Sequence, residues 1–489
     1  MAVSWVWWGI GIYFALASIA AYLSRRGHEP TMVGYFLGDR DMGGFVSAMS
    51  YSATTYSAFM LIGLAGLTYA GGVGALGFEL IYLCGVTLVL VFGPRFWAVG
   101  KRYGFVTPSE MLGHRYDSKA LARTVVVASC VFLIPYSAVQ LAGVGYLLQG
   151  MTDDAISFTA GTVLATFLAI LFALVAGLRS VAWTDSLQAM IMVVSASLVM
   201  LLVVHQLGGF GSFFASVSEA RPGMLAVPGT GFFTLSTFIG LTLPWMFFSI
   251  SNPQVSQRLF TPRSLRDMRR MLLGFLVFGF IYTLVSVSWG FAAVIQFPDL
   301  ATGDLATPRL LSSDLVPPVL GIIVMVGVMA AAVSTIDSIL LTLASMVSRD
   351  LVSGSSTTDR RQLLLGKLVM PVIAVLAYAF AQLQLNLIAV LSVAASAGLL
   401  VMVPAIVGTF FWSRGTAAGA MASIAAGGTA VLALELTGTR LLQQGSGVWG
   451  LLVSVCLFVG VSLLTTPASQ RADDFLGYTK AQLARHRAV

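Results

Sequence analysis

Three acids stand inside long apolar stretches of this sequence: Glu79, Asp185 and Asp337. A charge at the centre of a bilayer costs about 2.5–3.5 kcal/mol on insertion scales, so each must face a cavity or a partner. Glu79 lies near the end of its stretch, and the plain expectation is that it reaches the interface. Asp185, in Ala182-Trp-Thr-Asp-Ser186, lies less than two turns into its stretch, where a cap or an ion pair with Arg179 would account for it. Asp337 sits in Ala330-Ala-Ala-Val-Ser-Thr-Ile-Asp-Ser338. At about 100° per residue, Ala331, Ser334, Thr335 and Ser338 share one face about 100° wide, and Asp337 falls about 60° beyond its edge. Hydroxyls beside a carboxylate suit a small hard cation such as sodium. Hydroxyls that bond back to their own helix carbonyls are the structural alternative.

Two further stretches carry polar runs where a membrane helix should be apolar. One holds Ser52-Ala-Thr-Thr-Tyr-Ser-Ala58, with Gly63 and Gly66 after it; the other holds Pro244 and then Ser249-Ile-Ser-Asn-Pro-Gln254. Such runs weaken a helix and free carbonyls that lipid cannot satisfy, so they must line a polar site. They lie five stretches apart. Paired interruptions at matching places in two halves point to a transport site.

The elements that position these residues are membrane spans. Of 489 residues, 57% are hydrophobic and 10% charged, too few charges to cover a water-facing surface. Thirteen apolar runs are long enough to cross a core of about 30 Å: 3–23, 43–71, 75–99, 121–150, 153–177, 180–206, 231–257, 269–297, 317–348, 362–382, 386–412, 415–437 and 446–466. The first is long enough to span and lacks a basic leader, so it reads as a span and not a signal peptide. Of the 27 Lys and Arg, only Arg221, Arg309 and Arg440 fall in one set of alternate loops. The rest, Arg258 among them, fall in the other, which puts the N-terminus outside and the C-terminus in the cytoplasm. The net charge of +7 is then a topology signal, and no nucleic-acid partner is expected. Cys84, Cys130 and Cys456 read as buried thiols without metal-ligand spacing. The stretch 207–230, rich in Gly, Ser and Pro, reads as an external loop. Thr107, Pro108 and Glu110 read as the start of a short cytoplasmic helix.

The chain resembles the sodium/solute symporters, which include sodium–galactose, sodium–proline and sodium–sialic acid transporters. The resemblance rests on five strings in order: Tyr35-Phe-Leu-Gly-Asp-Arg40 with Gly63-Leu-Ala-Gly66, Gly177-Leu-Arg-Ser-Val-Ala-Trp-Thr-Asp185, Asn252-Pro-Gln-Val-Ser-Gln-Arg258 and Ser334-Thr-Ile-Asp-Ser338. It implies an all-α, LeuT-like fold of five plus five inverted helices, with about thirteen spans in all. The units would be an extra helix and inside loop (1–40), a first repeat (41–206), the external loop (207–230), a second repeat (231–412), and two further helices with a cytoplasmic tail (413–489).

By that resemblance, a sodium site would use the carbonyls of Ala53, Tyr56 and Ala331 and the hydroxyls of Ser334 and Thr335. A second sodium, found in some members, would use Asp185, Ser334, Asp337 and Ser338. Substrate would lie beside Ser57, Phe59 and Met60, facing Trp245, Phe248 and Ser249, with Tyr136 and Gln140 from the 121–150 span. Thr55 stands where proline transporters have an acid, and Phe59-Met60 where the galactose transporter has Glu-Gln, so neither substrate is implied. No Arg, Lys or His is expected at mid-membrane in this set.

The sequence thus points to a multi-pass protein of a bacterial or archaeal cell membrane, carrying a small polar organic solute, amino-acid or carboxylate-like, with sodium. Its partners are sodium, the solute and the lipid bilayer, with no obligatory protein partner evident. Proton coupling through Asp185 or Asp337 is the alternative within transport. A sensor would need a partner protein, since the tail beyond Pro467 is short. An enzyme finds no metal cluster and no nucleophile–base pair: His28 and His114 lie near membrane surfaces, His205 at a helix end and His486 in the tail.

Overall fold

The computed structural model describes residues 3–24, 31–229, 231–352, 358–385 and 387–487, so Arg25 and Arg26 of the expected inside loop lie outside it. Among the described residues, nine helices are long and apolar enough to cross a membrane: Gly74–Tyr103, Lys119–Met151, Phe158–Val175, Val181–Gln206, Leu265–Gln296, Pro318–Val352, Asp359–Ala381, Ala417–Thr437 and Ser446–Leu464. A tenth is the pair Ile388–Leu400 and Val403–Phe411, bent by 43°. Pro404 sits in the first turn of its second half, where the missing N–H costs nothing and the preceding turn must open. The remaining three expected spans contain shorter apolar helices, Val3–Ile19, Phe59–Gly71 and Leu235–Met246. Two of these belong to the stretches with polar interruptions.

The first interrupted span is helical over Gly44–Thr55, leaves the helix at Tyr56 (φ −90°, ψ 83°), and resumes at Phe59 with one wide π-type turn before Ala65–Gly71. The second runs Leu235–Met246, pauses at Phe247, continues over Phe248–Ser251, and breaks again at Asn252 (φ −84°, ψ 116°) before Pro253–Ser256. Pro253 disfavours the helical region for the residue before it, which explains the extended Asn252.

One sequence expectation changes between the spans. Residues 209–220 form a helix, not a loop, with Phe213 and Val217 buried. Phe, Val and Ala at helical spacing outweigh the flanking glycines there. The tail is helical over Ser469–Arg487 and docks against the end of Gly74–Tyr103. Phe475 stacks on Tyr103 with centroids 5.8 Å apart, and Arg471 pairs with Asp117 at 3.1 Å. The expected cap at Thr107 is present: its side chain accepts from the Glu110 N–H at 3.0 Å, and Glu110 accepts from the Val106 N–H at 2.8 Å.

A short segment between two spans, Gly303–Leu311, seats against the first interrupted span. Gly66 and Gly303 approach so closely that a Cβ on Gly303 would stand 2.5 Å from the Gly66 carbonyl oxygen. Thr307 donates to the Leu61 carbonyl, and Asp304 accepts from the Ile388 N–H at 3.0 Å. One short segment is thereby fastened to the first interrupted span and to the start of the bent pair.

Candidate functional site

The stripe on Pro318–Met346 is wholly inside the protein: Ala331, Ser334, Thr335, Asp337 and Ser338 are all buried. It faces the interruption in the first span. Thr335 Oγ1 donates to the Ala53 carbonyl at 3.0 Å, and at 3.5 Å to that of Thr54. Those carbonyls belong to the last turn of Gly44–Thr55, whose final C=O groups have no partner in their own helix. Tyr56 ends that helix with its ring stacked on Phe275, centroids 4.9 Å apart and planes 5° off parallel. The close approach of Tyr56 Oη to Gly279 would not survive a Cβ there. The chain turn that frees these carbonyls is therefore anchored by its own side chain.

Ser334 does not bond back to its helix; it donates to Asp185. Asp185 is fully buried and also accepts from Ser50 Oγ at 3.1 Å. The side chain of Arg179, its expected partner at the membrane surface, lies outside the described ones. Asp185 joins the helices Gly44–Thr55 and Pro318–Met346 deep in the fold. Asp337 is buried nearby, and its Oδ1 has no hydrogen-bond partner among the described residues.

Sequence reasoning misplaced one residue of this cluster. Arg258, read as a loop charge, is 3% exposed. Its Nη1 donates to Ser50 at 2.7 Å, and its Nη2 donates to Thr54 at 2.8 Å and to Ser338 at 2.6 Å. The reading of Arg258 as a loop charge is therefore wrong. The break at Asn252 turns the chain inward, and the short segments after it keep Arg258 inside. The signal was available: Ser50 and Thr54 are one turn apart and present two hydroxyls on one face.

Glu79 also departs from expectation. It is fully buried, and its Oε2 accepts from Trp245 Nε1 at 3.3 Å. Glu79 belongs to Gly74–Val86, which packs beside the second interrupted span. It never reaches an interface. Trp245 touches Phe59 and Phe248, with ring centroids 4.8 and 4.9 Å away, so three of the expected substrate residues form one aromatic group. Tyr136 joins it through Phe248 at 5.8 Å. Gln140 and the Tyr136 hydroxyl are buried without partners among the described residues, an arrangement that costs free energy unless water or a ligand supplies them. Met60 is buried in the same stretch. Two expected hydroxyls are engaged within the protein: Ser57 Oγ accepts from the nearby Phe59 N–H at 3.3 Å, and Ser249 donates across to the Gly85 carbonyl of Gly74–Val86 at 3.4 Å. Of the cysteines, Cys84 and Cys456 face outward and Cys130 is half-buried, so the expectation of buried thiols fails.

The profile of the sodium:solute symporter family matches residues 35–427. The symporter YhjB of Bacillus subtilis is 26% identical over 95% of this chain and 98% of its own length. The sodium/pantothenate symporter of Escherichia coli is 26% identical over 90% of this chain and 92% of its own. The structure of a Na+-coupled sialic acid symporter superposes with a TM-score of 0.78 at 20% identity, covering 94% of this chain and 97% of the other. That likeness shows the fold, an all-α LeuT-like architecture. The interrupted helices, the buried oxygens they bring together and a family match over most of the chain lead to one conclusion: this chain belongs to the sodium:solute symporter family.

Proposed function

We propose that the protein imports a small polar organic solute across the cell membrane, coupled to sodium, by alternating access between the units 41–206 and 231–412. The observation that carries this reading is the meeting of Thr335 Oγ1 with the Ala53 carbonyl at 3.0 Å. It supports the reading because, if 41–206 and 231–412 are the two repeats, an ion held between this hydroxyl and these carbonyls would sense their relative position. Sodium favours such neutral oxygens. Ala53, Tyr56 and Ala331 would supply carbonyls, and Ser334 and Thr335 hydroxyls.

Coupling needs differential binding: an ion that favours neither state shifts no equilibrium. Sodium would favour the state in which the first span's break and the Pro318–Met346 helix are together. The second ion site, at Asp185, Ser334, Asp337 and Ser338, is less complete here, because Arg258 donates to Ser338 and Ser334 donates to Asp185. The solute would sit against Phe59, Met60, Trp245 and Phe248, with Tyr136 and Gln140 offering polar contacts and Ser57 and Ser249 at its edge. The orientation proposed is N-terminus outside and C-terminal helix in the cytoplasm.

Purified protein in proteoliposomes, given an inward sodium gradient and a panel of labelled solutes, tests the reading. Uptake of at least one solute that collapses when sodium is replaced by potassium is expected. Uptake that follows a proton gradient and ignores sodium would move the coupling to Asp185 and Asp337.

A further inference from the structure

We propose that the transported solute carries an organic ammonium group, recognised by Glu79 beside the Trp245 aromatic cluster; this rests on the symport reading above. Glu79 is fully buried, and of its two carboxylate oxygens only Oε2 has a partner, the Trp245 indole N–H at 3.3 Å. Oε1 has none among the described residues. No Lys, Arg or His side chain among them pairs with it. The buried guanidinium of Arg258 is committed to Ser50, Thr54 and Ser338. An ionised carboxylate left alone in a membrane interior is costly; a proton relieves it, and so does a bound cation, which these surroundings favour.

The surroundings say which cation. A sodium ion takes several oxygens, but the neighbours here are rings: Trp245 lies 4.8 Å from Phe59, 5.5 Å from Phe78 and 5.9 Å from Tyr82 between centroids. Aromatic groups combined with one carboxylate attract a cation that carries carbon, because ring quadrupoles add to the charge while the alkyl part is buried against apolar surface. Tyr136 Oη and the Gln140 amide, both unpartnered, supply acceptors for N–H groups and donors for a polar tail. A free anion would meet the Glu79 charge instead. An amino-acid or betaine-like zwitterion, with its ammonium at Glu79, fits this site; a simple carboxylate does not.

The test uses carbon isosteres, which keep shape and remove charge. Choline is paired with 3,3-dimethylbutan-1-ol and glycine betaine with 3,3-dimethylbutanoate; L-proline, L-lysine, pantothenate, pyruvate and galactose complete the panel. Thermal unfolding of the full chain is read in sodium and in potassium, alongside uptake into proteoliposomes. The expected result is sodium-dependent stabilisation by one or more ammonium compounds and by no non-amine. Glu79→Gln should weaken that binding more than about tenfold, as the loss of a charge-assisted contact would. Trp245→Phe keeps a ring and should retain the preference for the charged member; it also guards against a Glu79 variant that does not fold. Equal binding of an ammonium compound and its isostere, or undiminished binding by Glu79→Gln, overturns the proposal. So does sodium-driven uptake confined to pantothenate, pyruvate or galactose, although that result leaves the symport reading standing. Absence of sodium-driven uptake for every solute defeats both.

Discussion

Arg258 and Asp185 meet through a single hydroxyl: Ser50 Oγ accepts from the guanidinium at 2.7 Å and donates to the carboxylate at 3.1 Å. Three segments are joined at that oxygen: Gly44–Thr55, the short turn Gln257–Phe260, and the helix carrying Asp185. Removing one member of a buried charge network leaves the other uncompensated, at a cost of about 3–5 kcal/mol. Arg258→Gln should therefore lower the unfolding temperature and abolish uptake. Adding Asp185→Asn should restore much of the stability, measured by thermal unfolding in detergent, without restoring transport. If the double variant is no more stable than the single, the two charges are not coupled.

The hydroxyl pair of the proposed sodium site gives a second expectation. Replacing both Ser334 and Thr335 by Ala preserves the helix, since Ala is the better helix former, and removes two of the five proposed oxygens. The double variant should reach the membrane in normal amount and lose sodium-stimulated solute binding, with a far larger fall in apparent sodium affinity than in solute affinity at saturating sodium. Ser and Thr should interchange at either position. Normal sodium-driven uptake would show that the stripe only packs helices.

Asp185 bears on ion stoichiometry. If a second sodium binds there, Asp185→Asn should reduce the apparent order of the sodium dependence. Normal transport by this variant, with a wild-type order of one, would make Asp185 a structural acceptor for Ser50 and Ser334.

Outside the spans, burial pushes the Asp304 carboxyl up to about 7, against the lowering effect of the Ile388 N–H it accepts. Its folded pKa thus lies above the usual carboxylate value, and the native state holds more protons than the unfolded chain between about pH 4 and 7. Stability from this group is present below that window and falls as pH rises through it. Asp304→Asn keeps an acceptor for Ile388 and removes the charge. The variant's unfolding temperature should gain on the wild type as pH rises from 5 to 8; parallel curves would refute this.

Orientation is checked by labelling. A cysteine at exposed Ser218 should react with an impermeant maleimide on intact cells, and one at exposed Arg266 should not. The reverse pattern would invert the proposed topology.

Much of this architecture was legible because single physical rules decided it. Apolar runs marked the spans, and Thr-Thr-Tyr-Ser and Asn-Pro marked the two breaks where Tyr56 and Asn252 leave the helix. The cap of Thr107 with Glu110 was written in four residues. Arg258 and Glu79 were misjudged because a charge near the end of an apolar run normally reaches water, and only the tertiary fold shows that the chain turns inward. The helix at Gly209–Ala220 was hidden by its flanking glycines, although Phe213 and Val217 already lay one turn apart.

The contact between Gly66 and Gly303 has an evolutionary side. A Cβ at 303 would meet the Gly66 carbonyl oxygen at 2.5 Å, and one at 66 would meet Gly303 backbone atoms at 2.9 Å. Neither position can acquire a side chain while the segment Gly303–Leu311 stays seated, and a change at one gives no relief at the other. Mutational drift in that segment is therefore steered to its exposed residues. A descendant that escapes the constraint must first unseat the segment from Leu61 and Ile388, and so must find another way to cover that end of the first interrupted span.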